Sequence, residues 1–500
     1  MKILLVYPKY PDTFWSFKHA LSFISKKAVH PPLGLLTIAA MLPETWEQKL
    51  VDLNVATLHE KDLQWADYVF ISAMIVQKDS VREIITRCQN SGVKIVAGGP
   101  LFTAEHEHFS GIDHFVLNEA ELTLPTFLAD LERGEAKPCY ATQEFSDIGT
   151  TPVPHWDLIN MKKYVSMTIQ YSRGCPFDCE FCDITVLYGR QTRTKHADQI
   201  ITELESLYSR GWRGGVFFVD DNFIGNKGKL KKEVLPAIID WMEKRQHPFT
   251  FSTEASINLA DDEQLMRLMV QAGFDAVFVG IETPDESSLA ECSKFQNTNR
   301  DLAACVKTLQ QYGLRVRGGF IVGFDNDTPS IFQRQIEFIQ NTGIVTAMVG
   351  LLNAPRGTRL YNRIAKEGRL VEDASGDNTD FSINFIPKMG HDTLIKGYTR
   401  IISGIYSPEP YFERVKKLLR DYHPLRKKKR RFHLGYIRNH SGYPGAFIKS
   451  IVVLGIKDKE RTYFWNLVFW SLFKRPQLFS LAMTYAIYGY HFRKIFGTYL

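Results

Sequence analysis

Apolar positions in the first quarter of the chain follow two alternating rhythms. Short runs of strand length occur at Lys2–Tyr7, Lys49–Val55, Tyr68–Ala73, Lys94–Ala97 and His114–Leu117. Between them, Pro31–Leu42, Val81–Ser91 and Glu119–Gly134 repeat with helical spacing, the first with prolines at its start. Such alternation predicts a parallel sheet with helices on both faces, binding ligands at the carboxyl ends of its strands. Glu135–Asn160, with Pro138, Pro152 and Pro154, reads as an extended linker.

The alternation resumes at Tyr164. Candidate strands are Ser166–Ser172, Gly215–Val219, Thr250–Glu254, Ala276–Gly280, Arg317–Val322 and Thr346–Leu352. Ala197–Arg210, Lys229–Lys244, Asp261–Gln271, Arg300–Tyr312 and Pro329–Asn341 fill the gaps as helices. Six such units suit a partial barrel whose strand ends face the ligand. Beyond Val371 the rhythm fades. Glu372–Asn384 is polar and loop-like, and His391–Tyr406 and Glu409–Asp421 read as helices. The chain is therefore read as an α/β protein with a Rossmann-like domain at 1–140 and a linker at 141–163. A partial (β/α)6 barrel follows at 164–370, then a mostly helical domain at 371–500.

Composition narrows the function classes. Hydrophobic residues make up 44% of the 500, enough for large cores. The opening apolar run is too short for a signal peptide. Seven cysteines, an odd number and mostly scattered, point away from disulfides and toward a reducing cytoplasm. Cys88, Cys292 and Cys305 lie in helical patterns and read as small buried hydrophobes. The six cations of 426–431 account for the whole net charge of +6, so no basic surface for nucleic acid extends over the chain. The end of the chain is aromatic, from Tyr463 to Phe492. Its best apolar stretch is broken by Lys474-Arg475-Pro476, short of the ~20 residues that span a bilayer. These helices are expected to cap the barrel mouth. The alternative is peripheral contact with an anionic membrane, and the two can coexist if the substrate is a lipid.

The chemistry concentrates in Tyr171-Ser172-Arg173-Gly174-Cys175-Pro176-Phe177-Asp178-Cys179-Glu180-Phe181-Cys182-Asp183. Cys175, Cys179 and Cys182 are spaced C-x3-C-x2-C on a loop loosened by Gly174 and Pro176. Three such thiolates can ligate three irons of a [4Fe–4S] cluster and leave the fourth iron open. Zinc would want a fourth ligand at matching spacing, and His196 belongs to a helix start instead.

This loop resembles the cluster-binding loop of radical S-adenosylmethionine (SAM) enzymes. The resemblance implies that the open iron chelates the amino and carboxylate groups of SAM. An electron from a reductase such as flavodoxin or ferredoxin then releases a 5′-deoxyadenosyl radical. Residue by residue, it places Phe181 near the adenine, Asp220 and Asp221 at the amino group, Glu282 on the ribose hydroxyls and Ile321 beneath the adenine. The glycines of Gly319–Gly323 would keep that floor open. Glu254 and Arg317 are further candidates. Arg190, Arg193 and Lys195 either pair with cofactor carboxylates or are solvated.

A small parallel domain ahead of such a barrel resembles the cobalamin-binding domain of B12-dependent radical SAM proteins with a carboxy-terminal domain of unknown function. There Ser72, Gly98 and Gly99 would accommodate the nucleotide tail of cobalamin. The loop from Pro8 to His19 lacks the D-x-H-x-x-G motif that supplies an axial histidine. The lower cobalt face is then left to water, to a Tyr or Trp, or to nothing, and His19 and His30 read as structural. The expected activity is methylation of an unactivated carbon in a small-molecule or lipid substrate. Ring closure or rearrangement with both cofactors is the first alternative, and a non-catalytic cobalamin-binding regulator the second.

Overall fold

The computed structural model describes residues 1–377, 379–424 and 442–497; the basic run at 426–431 lies outside them. The first sheet contains β1 (Lys2–Tyr7), β2 (Glu47–Asp52), β3 (Tyr68–Ser72), β4 (Lys94–Gly98), β5 (His114–Val116) and β6 (Cys139–Tyr140), in spatial order β2-β1-β3-β4-β5-β6. Every pair in it is parallel. Its longer helices are α1 (Leu33–Met41), α2 (Lys78–Ser91) and α3 (Ala120–Arg133). Leu4 and Val6 pack with Val81 and Ile84 of α2 on one face, while Ile3 and Leu5 pack with Leu35 of α1 and Phe127 of α3 on the other. Coverage of both faces explains why β1 reads as a continuous apolar run. The sixth strand lies inside the stretch read as linker. Two residues carry no periodicity, but Leu117 N–H donates to the Tyr140 carbonyl at 2.9 Å and extends the ladder.

The second sheet contains β7 (Ser166–Ile169), β8 (Gly215–Phe218), β9 (Thr250–Glu254), β10 (Phe274–Glu282), β11 (Arg315–Val322) and β12 (Ala347–Leu351). All pairs are parallel, in the order β12-β11-β10-β9-β8-β7. Around it lie α4 (Ala197–Ser209), α5 (Leu235–Lys244), α6 (Glu263–Ala272), α7 (Leu302–Gln311) and α8 (Ser330–Thr342). The helix expected over Lys229–Lys244 is interrupted by a wide turn at Leu230–Val234. Pro236 lies just beyond and has no N–H to give to a regular turn.

An open barrel leaves two edges, and each is covered from outside. Beside β7, Ser166 N–H donates to Val29 O at 3.0 Å and Lys27 N–H to Lys163 O at 2.9 Å. After the barrel come α9 (Arg359–Lys366), α10 (His391–Tyr406), α11 (Pro408–Asp421), α12 (Gly442–Ser450), α13 (Arg461–Lys474) and α14 (Phe479–Ile495). On the β12 edge, the buried hydroxyls of Tyr398 and Tyr406 from α10 donate to Val349 O at 2.8 Å and Ala347 O at 2.6 Å. These carbonyls point away from β11, so without the tyrosines they would be buried and unpaired. Helix α10 thus seals an edge, a role that its helical pattern did not reveal. The loop after β1 also enters this packing. Phe14 stacks on Phe492 of α14 with centroids 4.4 Å apart, and His491 Nε2 donates to Phe14 O at 3.0 Å. Trp15 meets Phe278 of β10 edge-on at 5.6 Å, and His30 stacks on Phe217 of β8 at 5.1 Å.

Candidate active site

The strand expected over Ser166–Ser172 stops at Ile169. Ser172–Arg173 then pairs antiparallel with Arg193–Thr194, and the cysteine loop hangs from this hairpin. Gly174 takes φ +89°. A Cβ there would meet the carbonyl oxygens of Gln191, Tyr188 and Gly189 at 2.6, 3.0 and 3.1 Å, so only glycine fits. Cys175 N–H donates to Gly189 O at 3.2 Å and Cys182 N–H to Cys179 O at 3.1 Å. Helix α9 holds the loop from the far side: Leu360 N–H donates to Glu180 O at 3.0 Å, and Arg363 grips the Glu180 carboxylate at 2.8 and 3.0 Å.

Burial raises the thiols of Cys175 and Cys182, and the proximity of Cys179 raises both further. The amide Nε2 of buried Gln296 lies 3.6 Å from Cys179 Sγ. Lys294 pulls the other way, its ammonium favouring thiolate at Cys175 and Cys182. Three thiols, with Cys179 near enough to raise the other two and with an amide donor and a cation beside them, suit an iron–sulfur cluster, whose binding would displace the thiol protons. Buried Cys292, outside the motif, passes under the loop and accepts the Glu180 N–H at 2.9 Å through its carbonyl.

The strand-end acids have separate surroundings. Asp220 is buried and accepts the backbone N–H groups of Tyr171, at 3.3 Å, and Ser172. Burial pushes it up to about 7. Its bonds are spent on orienting the hairpin. Asp221 is held up to about 6 by burial and by Asp183, against Arg173 and the Gly174 N–H. Glu254, pushed up to about 8 by burial and then by Asp221 and Asp220, is relieved by Arg317 and Lys294. Glu282 sits at a register shift with φ +63°. Its carboxylate pairs with Lys294 Nζ at 2.6 Å. A Cβ at Gly280 would lie 2.4 Å from that carboxylate and 2.9 Å from Lys294 Nζ, which explains the glycine. Burial of Asp221 and Glu254 beside each other leaves Glu254 protonated at neutral pH, and a cationic ligand such as a sulfonium would favour its ionised form. Phe181 is half-buried, 6.3 Å from Phe324 and 6.0 Å from Lys294 Nζ. Ile321 is half-buried, and its carbonyl accepts from Gln335 at 2.8 Å. The floor is not open at Gly319, where a Cβ would come within 2.7 Å of the Phe278 ring.

The first sheet turns its carboxyl end toward the barrel. Asp52, ending β2, accepts the Tyr164 hydroxyl at 2.9 Å. Beyond β3, the backbone packs against the polar segment after the barrel so closely that a Cβ on Gly376 would lie 2.8 Å from Val76 N. At the start of α3, Glu119 takes both terminal nitrogens of Arg193 at 2.7 and 2.6 Å, and Glu121 those of Arg173 at 3.2 and 3.0 Å. Arg193, expected on a cofactor or in solvent, is part of this clasp. Lys195 forms a buried ion pair with Glu203, and Arg190 faces Asp178 at 3.7 Å. Gly98 and Gly99 are required by close packing: Cβ atoms there would meet Val116 O and Ser72 Oγ, each at 2.5 Å. Lys294 and the two glutamates were not singled out in the sequence. Lys294 belongs to no repeat, and acids at a helix start read as ordinary dipole partners.

Family models match three stretches: the B12 binding domain at 23–128, the Radical SAM superfamily at 169–339 and a domain of unknown function (DUF4070) at 358–499. An uncharacterized methyltransferase, sll1242, of Synechocystis is 42% identical over 98% of this chain and 91% of its own length. The hopanoid C-2 methylase of Rhodopseudomonas palustris is 35% identical over 83% of this chain and 78% of that protein. Among solved structures, OxsB, a cobalamin-dependent SAM radical enzyme with aqua-cobalamin and SAM bound, superposes with a TM-score of 0.63 at 16% identity, covering 100% of this chain and 79% of that one. TsrM of Kitasatospora setae, a radical SAM methyltransferase with cobalamin and a [4Fe–4S] cluster, gives 0.57 at 16% identity, covering 75% and 79%.

Proposed function

Because this chain belongs to the B12-binding radical SAM methyltransferases with a DUF4070 segment, we propose that it methylates an unactivated carbon of a small-molecule or lipid substrate. The observation that carries the reading is the clasp, which sets the ligand-binding edge of the first sheet against the hairpin that launches the cysteine loop. When bound, the cluster and SAM supply an electron and a hydrogen-abstracting 5′-deoxyadenosyl radical, and cobalamin supplies the methyl carrier. Cys175, Cys179 and Cys182 hold the cluster, with Gln296 and Lys294 compensating their charge. Asp221 and Glu254 face the ammonium and sulfonium end of SAM. Glu282, kept in place by Lys294, takes the ribose, while Phe181 and Ile321 flank the adenine. Asp220 acts through the hairpin. Ser72, Gly98 and Gly99 shape the cobalamin side through their packing with one another and with Val116, not by leaving room for the ligand, in a domain ending near residue 140 and followed by the linker 141–163, the barrel 164–370 and the segment 371–500.

Similarity to the hopanoid C-2 methylase favours a lipid among the substrate classes. A reductase such as flavodoxin or ferredoxin would be the electron donor. The test has two arms. Anaerobic protein reconstituted with iron, sulfide and cobalamin should form 5′-deoxyadenosine from SAM under dithionite. A deletion strain should accumulate a lipid or metabolite lighter by one methylene. A product isomeric with its precursor would replace methylation by rearrangement, and absence of 5′-deoxyadenosine would favour a regulator.

A further inference from the structure

Exposed large hydrophobic side chains concentrate in one place. Ile448, Val452 and Ile456 recur every fourth residue along α12 and the turns that extend it, with exposures of 62, 38 and 59%. Phe469, Leu472 and Phe473 lie on one face of α13, Phe473 being 81% exposed. The two rows join: Trp465 Nε1 donates to Gly455 O at 2.9 Å, and the Trp465 ring stacks on Phe469 at 5.8 Å. Residues that recur on one helical face and stay exposed form a surface, since a core-facing row would be covered.

Among the described residues of the two helices and the turns between them, every exposed charge is cationic. Lys457, Lys459, Arg461 and Lys474 are exposed along the two helices. The acids between them, Asp458 and Glu460, are drawn onto Arg493 at 3.9 and 2.6 Å. Among the described residues no helix is long and apolar enough to cross a membrane.

We propose that α12 and α13 dock this protein on the surface of an anionic lipid bilayer, with Phe469, Leu472, Phe473, Val452 and Ile456 entering the headgroup boundary and the lysines meeting lipid phosphates. Apolar residues with an indole at one edge and a cationic rim are the composition of an interfacial helix pair. A second copy of the chain fits less well, because a self-paired face would set its lysines against one another. This inference is independent of the methylation reading.

The test is co-sedimentation of the full-length protein with vesicles of phosphatidylcholine, with and without phosphatidylglycerol. Binding is expected to the phosphatidylglycerol vesicles and to weaken with added salt. The pair Phe469→Asp and Phe473→Asp is expected to lower the partition coefficient at least about tenfold. The pair Lys457→Glu and Lys474→Glu should remove the preference for phosphatidylglycerol. Thermal unfolding should be unchanged in both variants, since the replaced side chains are exposed. Equal binding of native and Phe-substituted protein would overturn the proposal. So would a native dimer, seen by light scattering, that the Phe substitutions dissociate without changing vesicle binding.

Discussion

The clasp between α3 and the hairpin makes a quantitative demand. Arg193 and Glu119 form a bidentate pair at 2.6 and 2.7 Å, with side chains 14 and 1% exposed. At such burial, removing one partner leaves a charge that neither water nor a counter-ion fully compensates, and the usual cost is about 3–5 kcal/mol. Arg173 remains 3.6 Å from Glu119, and Ser146 still donates to it through its N–H and hydroxyl at 2.7 and 2.6 Å. Arg193→Met should therefore fall at the lower end, about 3 kcal/mol. Glu119→Gln should cost a similar amount by stranding Arg193. The double variant should cost less than the two singles together, by roughly 1–3 kcal/mol. Urea unfolding of the three proteins measures this as a shift in midpoint at constant slope. The pH dependence gives a second check. Burial would raise the Glu119 carboxyl, but Arg193, Ser146 and Arg173 together hold it below its ordinary 4.5. Its contribution is then complete above pH 4.5 and is lost as pH falls through the depressed folded value. Additive singles, or a loss in Arg193→Met below about 1 kcal/mol, would place the pair among ordinary surface bridges and refute the argument. In the loaded enzyme, the same variants should raise the number of 5′-deoxyadenosine molecules formed per methylated product.

Other predictions rest on single contacts. Cys179→Ala should abolish the visible absorption of the reconstituted cluster and the cleavage of SAM; retention of both would remove the ligand assignment. Tyr398→Phe and Tyr406→Phe should each cost about 1–3 kcal/mol in urea unfolding, since each strands a buried carbonyl on the barrel edge. Glu254 keeps its proton up to about pH 8 when folded, whereas its ordinary value is 4.5. The unfolded chain therefore binds fewer protons between those values, and this group makes stability fall as pH rises through that window. Glu254→Gln should leave thermal unfolding of the cofactor-free protein unchanged at pH 4 and raise its midpoint at pH 8.5; equal midpoints at pH 8.5 would count against the burial of this acid.

The parts legible in the sequence are those set by local rules. Lys2–Tyr7 and Thr250–Glu254 occupy the strands their apolar patterns foretold, and His391–Tyr406 the helix. The three cysteines could be picked out because all three lie on one short loop, where spacing alone brings them near one another. What stayed hidden depends on partners distant in sequence. Asp220 and Asp221 look alike in Val219-Asp220-Asp221-Asn222, yet one orients a hairpin 48 residues earlier and the other faces the site. Gly98, Gly99 and Gly319 read as room for a ligand, but that room is taken by Val116, Ser72 and Phe278.

The same dependence alters how the amino-terminal third should be understood. From sequence alone, the domain at 1–140 looks like a module separable from the barrel. The structure binds that module at both ends. Val29 accepts the first N–H of β7, His30 and Trp15 stack on β8 and β10, and Phe14 is a wholly buried member of the core shared by the barrel and α14. Deleting it would expose an apolar face and unpair a strand edge, so loss of cluster in such a truncation would not separate cofactor binding from folding. The clasp variants do separate them, because they remove charge at the junction and leave the Phe14 packing and the Val29 pairing in place.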